Sequence, residues 1–273
     1  MKTRCISITK PEPGSINEDA VIAIPTCIAV ADGAGGGGVF AECWSKYLLS
    51  QLPNKPIEKF EQLDQWIEQI WETYYDECEK IAKSIGDGML LRKFYEEGSF
   101  STLAAIWQTD KIHWATYGDS VAFCYNLTTQ ELQYSISHLA DFTNAPYLIS
   151  CKDPLDSKGF SAGSFDCSEN AIYFVASDAL AHYILMMYMV SHPNRFKDEL
   201  DTVLHSHTRN STYVKSALSI AKPDFNTTLS KLLGCIGHRH NLARHLDKLR
   251  RLNLLALDDY SIGIMEHDLK SKN

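Results

Sequence analysis

Five times along this chain a short run of apolar, β-prone residues meets a carboxylate, and that repeated juxtaposition constrains the fold more than any other feature. Glu18 and Asp19 stand before AVIAI, Asp32 follows CIAVA, Asp119 follows IHWATYG, Asp178 follows AIYFVAS, and Asp258 stands just before YSIGIM. A carboxylate at the end of a buried strand is costly to desolvate unless something cationic gathers it. Taken singly, each of these residues also reads as a turn or cap residue, because Asp side chains bond their own backbone in turns. Taken together they suggest one site, built where strand ends converge at an edge of a sheet system.

The pattern between the acids supplies the elements. β-like runs over 4–9, 20–24 and 27–31, broken by Pro11, Pro13, Gly14 and Pro25, predict three short strands joined by turns. A helix over 40–52 follows the glycines at 35–38, and apolar residues at steps of three and four between 57 and 85 predict a long amphipathic one. Strands are expected at 101–108, 112–118, 120–125 and 132–136, where the short links imply antiparallel hairpins and meanders. Pro, Gly, Ser and Asp dominate 143–170, which predicts a long loop or flap. A buried strand at 171–176, helices at 180–190, 196–205 and 242–255, and a strand at 260–265 follow. Strands first, helices later and strands again is an α+β order without βαβ alternation. For 273 residues the simplest organisation is one domain over 1–273, with the flap near 143–170 and a helix-rich insertion near 181–257.

Charge and composition narrow the function classes. A formal net charge of −8 argues against a nucleic-acid partner, which would call for a basic face. No window approaches the length of an apolar membrane span, and the start, MKTRCISITKPEPG, has no apolar signal core, so neither membrane nor export is expected. The eight cysteines form no CxxC pair and mostly sit in apolar runs such as CIAV and FCYN. They read as reduced core residues of a cytoplasmic protein, with a disulfide framework as the alternative.

The loudest local signal is IAVADGAGGGGVFA, residues 28–41, in which Gly33, Gly35 and Gly38 satisfy GxGxxG. A dinucleotide fingerprint needs a second parallel strand and an acidic residue at its end, whereas a long charged helix follows here. A glycine-rich turn without chemistry is the plain alternative for the segment alone. The company of the other acids favours a third reading. Carboxylates and backbone carbonyls without paired His or Cys suit hard cations such as Mg²⁺ or Mn²⁺, and a glycine after Asp32 lets a carbonyl approach such an ion. Two ions held in this way can clamp a phosphoryl group and activate a water between them. His238, His240 and His245 lie in HRHNLARHLDKLRR without a recognisable fourth zinc ligand and read as a solvated helix face. There is no G-x-S-x-G elbow and no P-loop.

The ordered series Asn-Glu-Asp-Ala (17–20), Val-Ala-Asp-Gly-Ala-Gly-Gly (30–36), Ser-Thr-Leu-Ala (101–104), Gly-Asp-Ser (118–120), Ala-Ser-Asp-Ala-Leu (176–180) and Asp-Asp-Tyr-Ser (258–261) resembles the motif set of the type 2C metal-dependent Ser/Thr protein phosphatases, the PPM family. The resemblance spans nearly the whole chain. It implies two packed antiparallel β-sheets flanked by helices, an αββα sandwich with the metals at one end. It further implies that Asp32 bridges two Mg²⁺ or Mn²⁺ ions and Gly33 offers its carbonyl to the first. Glu18 and Asp19 would hold metal-bound waters, Asp178 and Asp258 the second ion, and Asp119 a third, looser one. Asp32 and Asp19 would then act in catalysis through the metal-activated water, on a phosphoprotein substrate.

Several positions depart from the family pattern. Gly14 stands where family members commonly carry an arginine that grips the substrate phosphate, and the nearest basic residues are Lys10 and Arg4. The glycine loop before Glu42 is one residue longer, with glycine in place of a frequent histidine. Phe100, Val121 and Ala179 replace a glycine, an arginine and a glycine. These changes leave every acidic position intact, so the expectation is a metal-dependent phosphatase, with a phosphatase-like binding module of weak or no turnover as the alternative. The helical segment 181–257 is long enough to serve a protein partner.

Overall fold

The computed structural model of the protein describes residues 1–36 and 38–267; Gly37 of the glycine run and 268–273 of the expected domain lie outside the described residues. In chain order the strands are β1 (Lys2–Ile8), β2 (Ala20–Ile24), β3 (Cys27–Ala31), β4 (Phe100–Ser101), β5 (Leu103–Gln108), β6 (Ile112–Tyr117), β7 (Val121–Asn126), β8 (Leu132–Tyr134), β9 (Ile149–Ser150), β10 (Phe160–Phe165), β11 (Ala171–Ala176) and β12 (Tyr260–Glu266). The helices are α1 (Ala41–Ser50), α2 (Phe60–Ile85), α3 (Gly88–Glu97), α4 (Asp178–Ser191), α5 (Lys197–His205), α6 (Arg209–Leu218), α7 (Phe225–Gly234) and α8 (Arg239–Arg251).

Two antiparallel sheets form from these strands, one in the order β1-β12-β11-β7-β8 and the other β10-β6-β5-β3-β2. Alternation along the central strands shows why both faces of each sheet are covered. In β11, Phe174 and Ala176 join the apolar cluster under α4–α8, while Tyr173 and Val175 join the cluster between the sheets. In β3, Ala29 and Ala31 face the cluster under α1 and α2, while Ile28 and Val30 meet the other sheet. Side chains of period two that are apolar on both faces demand a layer on each side. The result is helices, sheet, sheet, helices, the αββα sandwich that the resemblance implies.

Strands form over 20–24, 27–31 and 171–176 as the patterning predicts. The expected helices near 40–52 and 57–85 and the strand near 260–265 form as α1, α2 and β12, and the structure departs from the expectations at the following places. The runs at 112–118 and 120–125 do not form a hairpin: β6 pairs with β5 and β10, while β7 pairs with β11 and β8. Residues 118–120 instead carry the chain from one sheet to the other. Within 143–170, β10 pairs along its whole length with β6; its sequence FSAGSF lacks an apolar run because it is an edge strand with one face exposed. Helices α3, α6 and α7 are additional to those expected, although Phe225, Leu229, Leu232 and Leu233 of α7 recur at helical spacing. The 181–257 segment does not stand apart: Leu200, Val214, Phe225, Leu229 and Leu246 are buried in the same cluster as β7, β11 and β12. Cys27, Cys78, Cys124 and Cys151 are buried, whereas Cys5 and Cys167 are exposed, and all eight are free.

Candidate active site

Strand register sends every acidic position to the same end of the sandwich. Ala20, the first residue of β2, pairs with Ala31, the last of β3, so Glu18, Asp19 and Asp32 leave that sheet together. In the other sheet Val121 starts β7 opposite Ala176, which ends β11 and lies opposite Ile262 near the start of β12. Asp178 and Asp258 follow from this, and Asp119 sits in the link between the sheets.

These residues line one pocket of about 320 Å³, with Glu18, Asp32, Gly33, Asp119, Asp178, Asp258 and Lys10 on its walls. Thr102, Pro146 and Leu148 complete much of the lining, so the segment expected to be a flap does border the site. Arg4 is not brought there: its guanidinium bonds Glu266 at 2.9 Å and the carbonyl of Ile236. Asp19 lies behind the pocket, 4% exposed, and its Oδ2 has no hydrogen-bond partner.

Local geometry explains the positions. After Asp32 the chain pairs briefly with the segment 98–102: the N–H of Thr102 and the hydroxyl of Ser101 donate to the Asp32 carbonyl at 2.8 and 2.9 Å, and the N–H of Ala34 donates to Phe100 O. A Cβ on Gly35 would lie 1.8 Å from Glu18 Oε1, so any side chain there would displace the Glu18 carboxylate. Gly118 turns with φ +87°, and a Cβ would lie 2.6 Å from the Tyr147 carbonyl; that turn switches sheets and leaves Asp119 at the site. Asp178 is the first residue of α4, and the N–H of Ala179 donates to its carboxylate.

Sequence reasoning passed over Asp259, which is 2% exposed. Its two carboxylate oxygens accept from the backbone N–H of Lys10 at 2.7 Å and of Glu18 at 2.8 Å. It thus ties both ends of the loop 10–18 to the start of β12. A second passed-over group is a hydroxyl lattice behind Asp19: Ser261 Oγ and Ser7 Oγ are hydrogen-bonded at 2.8 Å, and the N–H of Ser261 donates to Ser177 Oγ at 3.0 Å. Asn17, quoted in the motif series, joins it through Ser7 Oγ. The available signal was serine in or at the end of apolar strands: Ser7 in β1, Ser177 just before Asp178, and Ser261 in β12 shortly after Asp258 and Asp259.

Electrostatics make this a site under tension. Burial pushes the Asp19 carboxyl up to about 8, opposed by a hydroxyl bond from Ser261 and reinforced by the charge of Asp178. Burial, then the charges of Asp19 and Asp178, hold Asp32 well above the ordinary carboxylate range. Asp119, Asp178 and Asp258 are each pushed up to about 6, first by burial and then by acidic neighbours. Lys10 is desolvated, yet Glu18, Asp259 and Asp258 together raise its pKa; its Nζ lies 3.5 Å from Glu18 Oε2.

Among the described residues, no group of three or more His, Cys, Asp or Glu is already drawn together tightly enough to hold an ion. The carboxylates line the pocket without closing on a point. The donor set nevertheless fits a hard cation: it is all oxygen, its members repel one another, and Asp19 keeps an unpartnered buried oxygen.

No protein-family model matches the sequence, and no curated protein matches it. Solved structures do match over almost the whole chain. The PPM Ser-Thr phosphatase MsPP from Mycobacterium smegmatis, in complex with cacodylate, shares 13% identity over 98% of this chain and 99% of its own, with a TM-score of 0.50. The chain has the PPM phosphatase fold. The same fold relates it to PppA, a regulatory component of T6SS in Pseudomonas aeruginosa, at 14% identity over 98% and 97% of the two chains and a TM-score of 0.51. The serine/threonine phosphatase PstP/Ppp of Mycobacterium tuberculosis matches at 15% identity over 97% and 99%, with a TM-score of 0.50. Among the described residues, no helix of this PPM-fold chain is long and apolar enough to cross a membrane.

Proposed function

We propose that the protein is a metal-dependent phosphoester hydrolase acting on phosphoserine or phosphothreonine in proteins. The observation that carries this reading is the convergence of Glu18, Asp32, Asp119, Asp178 and Asp258 on one pocket that also holds Lys10. Asp32, the Gly33 carbonyl, Asp178 and Asp258 would hold Mg²⁺ or Mn²⁺, with Glu18 and Asp19 orienting waters and Asp119 serving a third ion. When bound, such ions supply the positive charge a phosphoryl group needs and lower the pKa of water enough to make a nucleophile at neutral pH.

The chain's own residues account for the rest. Lys10 is the cation at the pocket wall and takes the part of phosphate ligand that Gly14 lacks a side chain to play. Release from Glu18 would turn its ammonium toward an incoming phosphate as a point charge. Pro146 and Leu148 narrow the mouth on the flap side, which limits water at the reacting group. The eight free cysteines support a reducing, cytoplasmic setting.

The test is hydrolysis of p-nitrophenyl phosphate and a phosphothreonine peptide with Mn²⁺ or Mg²⁺, with EDTA and Asp32→Asn as controls. Metal-dependent turnover that is lost in the variant supports the reading. Mn²⁺ binding by a folded protein without turnover would replace it with the phosphatase-like binding module, for which the missing side chain at Gly14 is the motivating observation.

A further inference from the structure

Helices α7 and α8 enclose a cleft of about 460 Å³ on the face of the molecule built by the 181–257 segment. Its interior is apolar, with Met187 of α4 together with Ile220, Leu249 and Leu254. Three lysines, Lys222, Lys231 and Lys248, also line it, together with one acid, Asp224. The Asp224 carboxylate is held by the N–H and hydroxyl of Thr227 at the start of α7, and its single charge offsets only one of the three lysines. None of the three lysines forms a salt bridge among the described residues.

Three lysines against one aspartate leave this cleft positive on a chain of net charge −8, an excess that an anion seated in it would offset. One further feature belongs to the same cleft. Lys222 sits at φ 56°, a left-handed conformation that a lysine adopts at a cost and that recurs at ligand clamps.

We propose that this cleft binds a small anionic amphiphile, an acyl carboxylate or an alkyl phosphate, with its head among Lys222, Lys231 and Lys248 and its body over Met187 and Leu249. The volume falls within the range of small-molecule sites, and the mix of apolar lining with a few convergent polar groups is what such sites show. The cleft shares no lining residue with the acidic pocket, so the inference stands apart from the proposed hydrolase activity. It also excludes the neutral and purely ionic extremes: an alcohol would leave the lysines unpaired, and inorganic phosphate would leave the apolar lining in water.

Isothermal titration of the metal-free protein in EDTA tests it, with octanoate, octyl phosphate, octanol and inorganic phosphate as probes. The expected result is one-to-one saturable binding of octanoate, octyl phosphate or both, with octanol and inorganic phosphate at least about tenfold weaker. Which of the two anions binds identifies the head group. Two charge-assisted bonds are removed in Lys231→Gln/Lys248→Gln, so affinity should fall at least about tenfold, while Asp32→Asn should bind as the unaltered protein does. Both lysines are exposed, and circular dichroism of the double variant confirms that it is folded; Lys222→Gln gives an independent reading. Absence of saturable binding by either anion, equal affinity for octanol, unchanged affinity in the lysine variants, or loss of binding in Asp32→Asn would overturn the proposal.

Discussion

Both oxygens of Asp259 accept backbone N–H groups of the loop that carries Lys10 and Glu18, which makes it a positioning residue for the acidic pocket. An asparagine has one acceptor oxygen, and its amide would meet the second N–H donor to donor. Asp259→Asn should therefore leave the fold intact but lower Mn²⁺ affinity about 10- to 100-fold, the usual effect of losing an outer support of a metal site. Titration of the metal into the variant measures this; an unchanged affinity would mean that the loop is held by other contacts. Gly35→Ala acts on the same loop differently, because the added methyl takes the space of the Glu18 carboxylate. It should weaken metal binding while the cooperativity of unfolding is kept, checked by titration and urea denaturation of the same sample.

Among the elements, α4 joins the site to the core. It begins at Asp178, and its residues from Ala179 to Val190 are buried, so it has no amphipathic face to place. An all-apolar helix of this kind is stable only when surrounded, which here means one sheet below and α6 and α7 above. Leu185 is fully buried in it, and Leu185→Ala should cost about 2–5 kcal/mol of stability. The urea midpoint should fall at unchanged slope; a loss below about 1 kcal/mol would mean that the surroundings collapse onto the space. The exposed edge strand β10 illustrates the opposite case. Its residues contribute little apolar area, and backbone pairing with β6 defines it instead, which is why composition reads it as loop.

At the scale of the whole molecule, the clustered acids couple stability to pH and metal. A carboxylate whose folded pKa is raised above its unfolded value of about 3.9 contributes stability that is present below that value and lost as pH rises through the folded pKa. For Asp119, Asp178 and Asp258 the loss runs to about pH 6, and for Asp19 it continues to about 8, with Asp32 shifted in the same direction. His182 works oppositely: burial pushes its pKa down to about 4, so it favours the folded state increasingly up to about pH 6.5, its unfolded value. Above that pH the histidine contribution is constant. The melting temperature of EDTA-treated protein should therefore fall between pH 6.5 and 8, more steeply than that of Asp32→Asn, and Mn²⁺ should stabilise more at pH 8 than at 6.5. Thermal scans at both pH values, with and without metal, check the sign; a rise with pH in the metal-free protein would contradict the electrostatic account.

The amino-acid sequence determined the central strands and the acids at their ends, because period-two apolar runs and the residue types of a hard-cation site are local properties. β2, β3 and β11 and the positions of Asp32, Asp119, Asp178 and Asp258 were legible on those grounds. What only the tertiary structure decided is which strands pair and what the acids face. The sheet switch at Gly118, the edge strand β10 and the placement of Lys10 rather than Arg4 at the acidic pocket all depend on register between segments far apart in the chain. Asp259 depends on it as well: next to Asp258 it looks like a second turn residue, and its role exists only because packing brings the loop 10–18 against the start of β12. Helix α7 did carry a local signal, Phe225, Leu229, Leu232 and Leu233 at helical spacing, but a helix of about ten residues is marginal alone, and only the core it covers decided that it and α6 form.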